Sequence, residues 1–190
     1  AKELDIISDF QGQYPVIYLN FKGVSGSNVA EIENSLRKAI SRSFNEHEFL
    51  YKWLQQNEKE LGGVVKVNLF KAYFENSNKY KDGNDEFKNA DLVDSIYFLS
   101  NLLSDYYGRE VYVLVDEFDK PVHNLLKQVI LNKRNRVNNI TLLENIAKLL
   151  SKVVGGEAKG SNSRIEKIIL TGILNTVDLE ASATLNGMEE

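Results

Sequence analysis

The sequence predicts an α/β fold in which a parallel sheet lies between layers of helices, a three-layer arrangement. Three short apolar runs rich in β-branched residues occur near positions 14–21, 111–116 and 165–171, and each predicts a buried strand. Segments with helical periodicity separate these runs, as expected for parallel strands joined by crossover helices. A length of 190 residues suits one domain, which we expect to span residues 1–190.

The first predicted strand is followed by a series of helices. Asn28 and Glu31 have the spacing of a capping box, and apolar positions at helical spacing after them predict a helix to about Phe44. Residues 49–62 predict a second helix and residues 64–80 a third. The crossover from the first strand to the second is therefore predicted to be mainly helical.

The second strand is the centre of the predicted sheet. A helix over residues 92–106 leads to Gly108, a residue that readily takes the left-handed conformation of a helix end. Val111 to Val115 is apolar at every position, which is typical of a parallel strand covered by helices on both faces. Pro121 begins a further helix.

The rest of the chain contains one more helix and one more strand. Polar residues over 81–89 and 132–139 predict loops. Thr141 and Glu144 have the spacing of another capping box, which predicts a helix over residues 142–154. The last strand, near 165–171, follows it.

Acidic side chains come directly after the second strand. Asp116 and Glu117 stand at the carboxyl end of a buried parallel strand, where open α/β sheets bind ligands. In P-loop ATPases the first acid of such a pair holds Mg²⁺ and the second polarises the attacking water. On this basis Asp116 is a metal ligand and cofactor contact, and Glu117 is the catalytic residue. Thr171, at the end of the next strand, would contact the γ-phosphate or the catalytic water. The alternative is that these acids only end a strand in water, because apolar runs followed by Asp-Glu arise often by chance.

Four segments together carry a family resemblance: residues 15–22, 106–108, 113–121 and 170–174. In order and spacing they resemble the AAA-ATPase-like family, over residues 12–174. The resemblance implies a fold of the P-loop NTPase type, a Walker B strand ending at Asp116, and ATP with Mg²⁺ as ligands. It also implies bacterial proteins that commonly join this domain to a carboxy-terminal PD-(D/E)XK-type nuclease domain.

Two departures from the family pattern bear on activity. The chain contains no G-x-x-x-x-G-K-[ST] segment, so the fold is expected to lack the phosphate-loop strand. Asn175, which we assign as a further cofactor contact, stands where the resemblance implies an arginine, and Asp178 where it implies a lysine. An arginine that neutralises transition-state charge contributes about 10³-fold or more to phosphoryl transfer. We therefore do not expect Mg²⁺ or ATP to bind tightly to this chain alone.

Three functions remain open after the residues are compared with the family pattern. In the first, a degenerate ATPase-like domain acts as an interaction or structural module of a larger nuclease- or effector-type protein. Its partner is then another protein or an adjacent domain, and nucleic acid is contacted through an associated domain. In the second, the chain is part of an active Mg²⁺-dependent ATPase whose upstream phosphate loop is missing from it. A third hypothesis is direct nucleic-acid binding by Lys133, Arg134 and Arg136.

Composition excludes several other classes. A net charge of −4 with 43% hydrophobic residues is ordinary for a globular protein and provides no global attraction to nucleic acid. The absence of cysteine excludes disulfides, thiolate zinc sites and a cysteine nucleophile. Without a long apolar run or a secretory signal, we expect a cytoplasmic protein with no membrane partner. Because the chain opens with Ala1 and its only methionine is Met188, we expect a fragment or processed product.

Overall fold

The structure is a computed structural model that describes residues 11–61, 63–75, 90–131, 136–156 and 164–172. It contains a three-stranded parallel sheet in the order β1 (Val16–Asn20), β2 (Val111–Asp116) and β3 (Ile165–Leu170). The helices are α1 (Val29–Glu46), α2 (Phe49–Gln56), α3 (Glu58–Leu61), α4 (Gly63–Glu75), α5 (Ala90–Tyr107), α6 (Lys120–Leu131) and α7 (Arg136–Ser151). A π-helical turn, Lys152–Gly156, follows α7. The predicted α/β class and all three predicted strands are confirmed.

The register of the sheet brings the ends of the three strands together. Asn20 on β1 pairs with Asp116 on β2, and Val115 pairs with Leu170 on β3. Backbone hydrogen bonds continue one step beyond this, because the N–H of Thr171 donates to the carbonyl of Val115 at 2.9 Å. Thr171 therefore lies beside Asp116 at the carboxyl end of the sheet.

One face of the sheet carries the hydrophobic core. Ile17 and Leu19 on β1 and Val113 on β2 are fully buried, as are the α1 residues Leu36 and Phe44 that belong to the same cluster. Aromatic rings extend this core away from the sheet: Phe44 stacks on Tyr73 with centroids 4.8 Å apart and meets Phe70 edge-on at 5.2 Å. Each fully buried aliphatic or aromatic side chain contributes about 1.5–3 kcal/mol relative to an exposed one.

The opposite face of the sheet is open among the described residues. Val16, Tyr18 and Ile169 point to it and are 40%, 42% and 40% exposed, and Leu114 between them is half-buried. We call these four residues the open face. Among the described residues, neither coverage of β2 on both faces nor a three-layer arrangement is confirmed.

The topology explains why the helices share one face. The strand order follows chain order, so both crossovers run in the same direction across the sheet. Right-handed crossovers in one direction place their helices on the same side. The apolar run of β2 could not reveal which face the helices cover, because Tyr112 and Leu114 are as apolar as residues that pack against helices.

The predicted helix boundaries are partly confirmed. Asn28 caps α1, since its Oδ1 accepts the N–H of Glu31 at 3.0 Å, while the Glu31 carboxylate accepts the N–H of Ser27 at 2.7 Å. The φ of Gly108 is +67°, as its position after α5 predicts. The predicted helix over residues 49–62 is instead divided at Asn57, whose side chain donates to the carbonyl of Trp53 at 2.8 Å and so competes with the helical bonds.

The helix predicted to start after Thr141 begins earlier. α7 starts at Arg136, so Thr141 and Glu144 lie inside it and form no capping box. The spacing of a capping box also occurs by chance inside helices. A true N-cap residue differs in having an extended backbone conformation. The predicted loop over residues 81–89 lies outside the described residues.

Candidate functional site

Asp116 ends the central strand and receives hydrogen bonds from both neighbouring strands. Its Oδ1 accepts the Thr171 hydroxyl at 2.6 Å and the N–H of Glu117 at 3.0 Å. Its Oδ2 accepts the Tyr18 hydroxyl at 3.2 Å and the Asn20 amide at 3.4 Å. We call Asp116 with these four donor groups the Asp116 site. Asp116 and Thr171, which the sequence places at the ends of two strands, are therefore in direct contact, and their roles as metal and cofactor contacts stay predictions.

The surroundings of Asp116 favour its charged form. The Thr171 hydroxyl, which donates to the carboxylate, is the main reason that the pKa of Asp116 lies below its usual value. Partial burial acts in the opposite direction, and the Tyr18 hydroxyl, the Glu117 N–H and the charge of Lys22 add to the lowering of this pKa. Asp116 is therefore an anion held in place by neutral donors.

Glu117 has a different environment from Asp116, although the two are adjacent. Its backbone is in the left-handed region with φ +52°, which non-glycine residues seldom adopt. Its carboxylate forms an ion pair with Lys120 at 3.2 Å, and both side chains are 29% exposed. The turn after β2 therefore directs the two acids to separate partners. The catalytic role of Glu117 stays a prediction.

The turn after β2 is packed tightly against the end of β3. The N–H of Phe118 donates to the carbonyl of Thr171 at 2.9 Å. The Phe118 side chain is buried, and its ring centroid lies 6.3 Å from that of Phe21. Asp119 is also buried and precedes α6, where its carbonyl accepts the N–H of His123. A Cβ on Gly172 would lie 2.5 Å from Oδ1 of Asp119, so a larger residue at this position would force the Asp119 side chain to move.

Sequence reasoning missed Tyr18 and Asn20 as members of the site. The sequence predicts only that they belong to a buried strand. In the structure both side chains donate to Asp116 from β1. The signal was present in their spacing, because residues two apart on a strand share one face. Parallel pairing of the first and second strands then places them beside the acid.

Other predicted residues lie outside the described part of the chain. Asn175 and Asp178, the positions at which the chain departs from the family pattern, are in this group. Lys133 and Arg134 also lie outside the described residues. Arg136 lies in α7, but only its backbone is described. The contacts of Asn175 with a cofactor and of the basic loop with nucleic acid therefore stay predictions.

The Asp116 site fits a tightly held cation poorly. Its oxygen atoms are of the type that Mg²⁺ prefers. However, an ionised carboxylate offers about four lone-pair sites, and four donors already approach those of Asp116. Within the described ranges, no three His, Cys, Asp or Glu side chains come together as metal ligands would.

A groove lies at the other end of the sheet from the Asp116 site. It has a volume of about 560 Å³ and is lined by residues that include Tyr14, His47, Phe49, Tyr107 and Arg109. Arg109 donates to the carbonyl of Gln13 at 3.2 Å.

Among the helices described, none is both long and apolar enough to cross a bilayer.

Comparison with known proteins identifies the family of this chain. No curated protein and no solved structure matches this chain. The family model described as "Predicted AAA-ATPase" matches residues 2–180, which is nearly the whole chain. The chain therefore belongs to the AAA-ATPase-like family.

Proposed function

We propose that this chain is an ATPase-derived domain that has lost hydrolysis and serves as an interaction or structural module within a larger protein. The observation that carries the proposal is the open face of its sheet. Val16, Tyr18 and Ile169 present apolar surface there at 40%, 42% and 40% exposure. Parallel sheets occur almost only with both faces covered, so an exposed apolar face calls for a covering surface.

The covering surface that fits best is an adjacent protein domain. The middle of the open face is apolar, and the charged side chains nearest to it on β3, Glu166 and Lys167, have opposite signs. Such a face has no concentration of positive charge of the kind that binds nucleic acid. β3 is also an edge strand of the described sheet, and edge strands can pair with a further strand.

Loss of hydrolysis is supported by the sequence and by the Asp116 site. Asn175 stands where the family resemblance implies an arginine. Both oxygens of Asp116 are engaged by protein donors. Contact with nucleic acid is then left to an associated domain.

Footprinting with hydroxyl radicals tests this proposal. The chain alone is compared with the product of the full open reading frame, and labelling is read by mass spectrometry. We expect labelling of Tyr18 and Ile169 to fall severalfold in the longer protein, because an adjacent domain covers them. Tyr107, which is 52% exposed at the opposite end of the sheet, is the matched control. Equal labelling of Tyr18 in both proteins would reject the proposal.

A second candidate function is a Mg²⁺-dependent ATPase whose phosphate loop lies upstream of this chain. The observation in its favour is the 2.6 Å contact between Thr171 and Asp116 at adjacent strand ends, with Glu117 next in the chain. In the product of the full reading frame, Glu117→Gln should then abolish ATP hydrolysis and leave ATP binding intact. Unchanged hydrolysis in that variant would remove this candidate.

A further inference from the structure

The two oxygens of Asp116 are held with unequal strength. On Oδ1 the donors are close, with the Thr171 hydroxyl at 2.6 Å and the Glu117 N–H at 3.0 Å. On Oδ2 they are further away, with the Tyr18 hydroxyl at 3.2 Å and the Asn20 amide at 3.4 Å. Hydrogen bonds weaken toward such distances, so Oδ2 is the oxygen that another ligand could take more easily.

Tyr18 stands between Asn20 and the carboxylate. The Asn20 amide donates to the Tyr18 oxygen at 3.1 Å, and the Tyr18 hydroxyl in turn donates to Oδ2. Asn20 is itself fixed, because its Oδ1 accepts the N–H of Lys22 at 2.8 Å. These contacts orient the tyrosine hydroxyl toward the acid, even though its ring is 42% exposed on the open face.

We infer that the Tyr18 hydroxyl, oriented by Asn20, occupies the carboxylate oxygen that a divalent cation would bind, and so keeps the cation affinity of Asp116 low. Tyr18 is thus a positioning residue that competes with a cation at Oδ2. The inference deepens the proposed function and rests on it, since it explains why a carboxylate at this place in the sheet binds Mg²⁺ weakly.

The opposite effect of Tyr18 would require its hydroxyl to orient the carboxylate for a cation. A donor on one oxygen can orient a carboxylate for a cation on the other, and removing the donor would then weaken binding. The structure favours competition, because both oxygens already have two donors. Removing the hydroxyl frees one lone pair, whereas Thr171 and the Glu117 N–H still fix the orientation of the side chain.

Cation titration of the chain, followed by calorimetry and by the electron paramagnetic resonance of Mn²⁺, tests the inference. Mg²⁺ and Mn²⁺ are added to the wild type, to Tyr18→Phe and to the control Tyr112→Phe. Tyr112 lies on the same face of the sheet, but its ring packs on Tyr14 at 4.9 Å, at the other end of the strands. Circular dichroism establishes that each variant is folded.

We expect Tyr18→Phe to bind the cations about three- to tenfold more tightly than the wild type, which corresponds to one neutral hydrogen bond. Tyr112→Phe should equal the wild type, and adding Asp116→Asn to Tyr18→Phe should abolish the gain. Equal or weaker binding by Tyr18→Phe, or no binding by it at all, would overturn the inference. Tight Mg²⁺ binding by the wild type would instead contradict the proposed function, so the two failures are distinguishable.

Discussion

At the scale of single residues, the Asp116 site is a carboxylate that ties three strands together. Tyr18 and Asn20 reach it from β1 and Thr171 reaches it from β3. The sequence was sufficient to locate Asp116 and Thr171 at the ends of their strands, because each comes directly after an apolar run. It was not sufficient to identify Tyr18 and Asn20, because their role depends on which strands are neighbours.

Replacing Thr171 tests the electrostatics of this site. Thr171→Val removes the donor at 2.6 Å, so the pKa of Asp116 should rise toward its usual value, measured from the carboxyl ¹³C shift against pH. A lowered pKa in the folded state stabilises the protein above the unfolded value of about 3.9, and this contribution is lost as pH falls through the folded pKa. The stability difference between wild type and variant should therefore disappear in acid.

Thr171→Ser is the control, because it keeps the hydroxyl. Its Asp116 should titrate as in the wild type. A Thr171→Val variant whose Asp116 titrates as in the wild type would show that the hydroxyl has no effect on the charge.

Glu117 gives a test of backbone strain. Its φ of +52° is costly for a residue with a Cβ, and its carboxylate forms an ion pair with the partly exposed Lys120. Glu117→Ala and Glu117→Gly both lose this ion pair, so their difference isolates the backbone. We expect the glycine variant to be more stable by about 1 kcal/mol in urea unfolding. Equal stability would argue against the left-handed conformation.

At the scale of secondary-structure elements, the turn after β2 and the end of β3 form one packed unit. Phe118 donates to the carbonyl of Thr171, and Gly172 lies against the buried Asp119 at the start of α6. The strands and the start of α1 could be predicted, because apolar runs and the Asn28 cap are local signals. The start of α7 could not, because Thr141 and Glu144 have the same spacing inside a helix as at its beginning.

Gly172→Ala should destabilise the protein by about 1–3 kcal/mol, because the new methyl group would lie 2.5 Å from Oδ1 of Asp119. Gly23→Ala is the matched control. No atom lies within 4 Å of a Cβ placed there, so its effect should stay within about 0.5 kcal/mol. Urea unfolding of the three proteins measures both. A Gly172→Ala variant as stable as the control would show that β3 and α6 are less closely packed than described.

At the scale of the whole molecule, the central feature is a parallel sheet with one covered and one open face. Composition and periodicity could not predict it, since Ile168 and Ile169 are chemically identical in the sequence. Ile168 packs against the helices and is 5% exposed, whereas Ile169 lies on the open face and is 40% exposed. This difference depends on the topology of the sheet. The second layer of helices was therefore predicted from a general property of parallel sheets.

The two isoleucines provide a matched pair for this asymmetry. Ile168→Ala should cost about 2–4 kcal/mol in the chain alone, because it leaves a cavity in the core. Ile169→Ala should cost less than about 1 kcal/mol, because its side chain is already partly hydrated. Chemical denaturation gives both values. Equal costs in the chain alone would contradict a one-faced sheet, whereas a larger cost of Ile169→Ala in the full-length protein is the expected sign of a covering domain.

Nucleotide binding by this domain decides between the two candidate functions. Isothermal titration calorimetry of ATP, with and without Mg²⁺, on the product of the full open reading frame tests this most directly, with Asp116→Asn as the control. We predict no Mg²⁺-dependent binding in the micromolar range, and no difference between the wild type and the Asp116→Asn variant. Micromolar, Mg²⁺-dependent binding that is lost in Asp116→Asn would contradict the account and establish the ATPase instead.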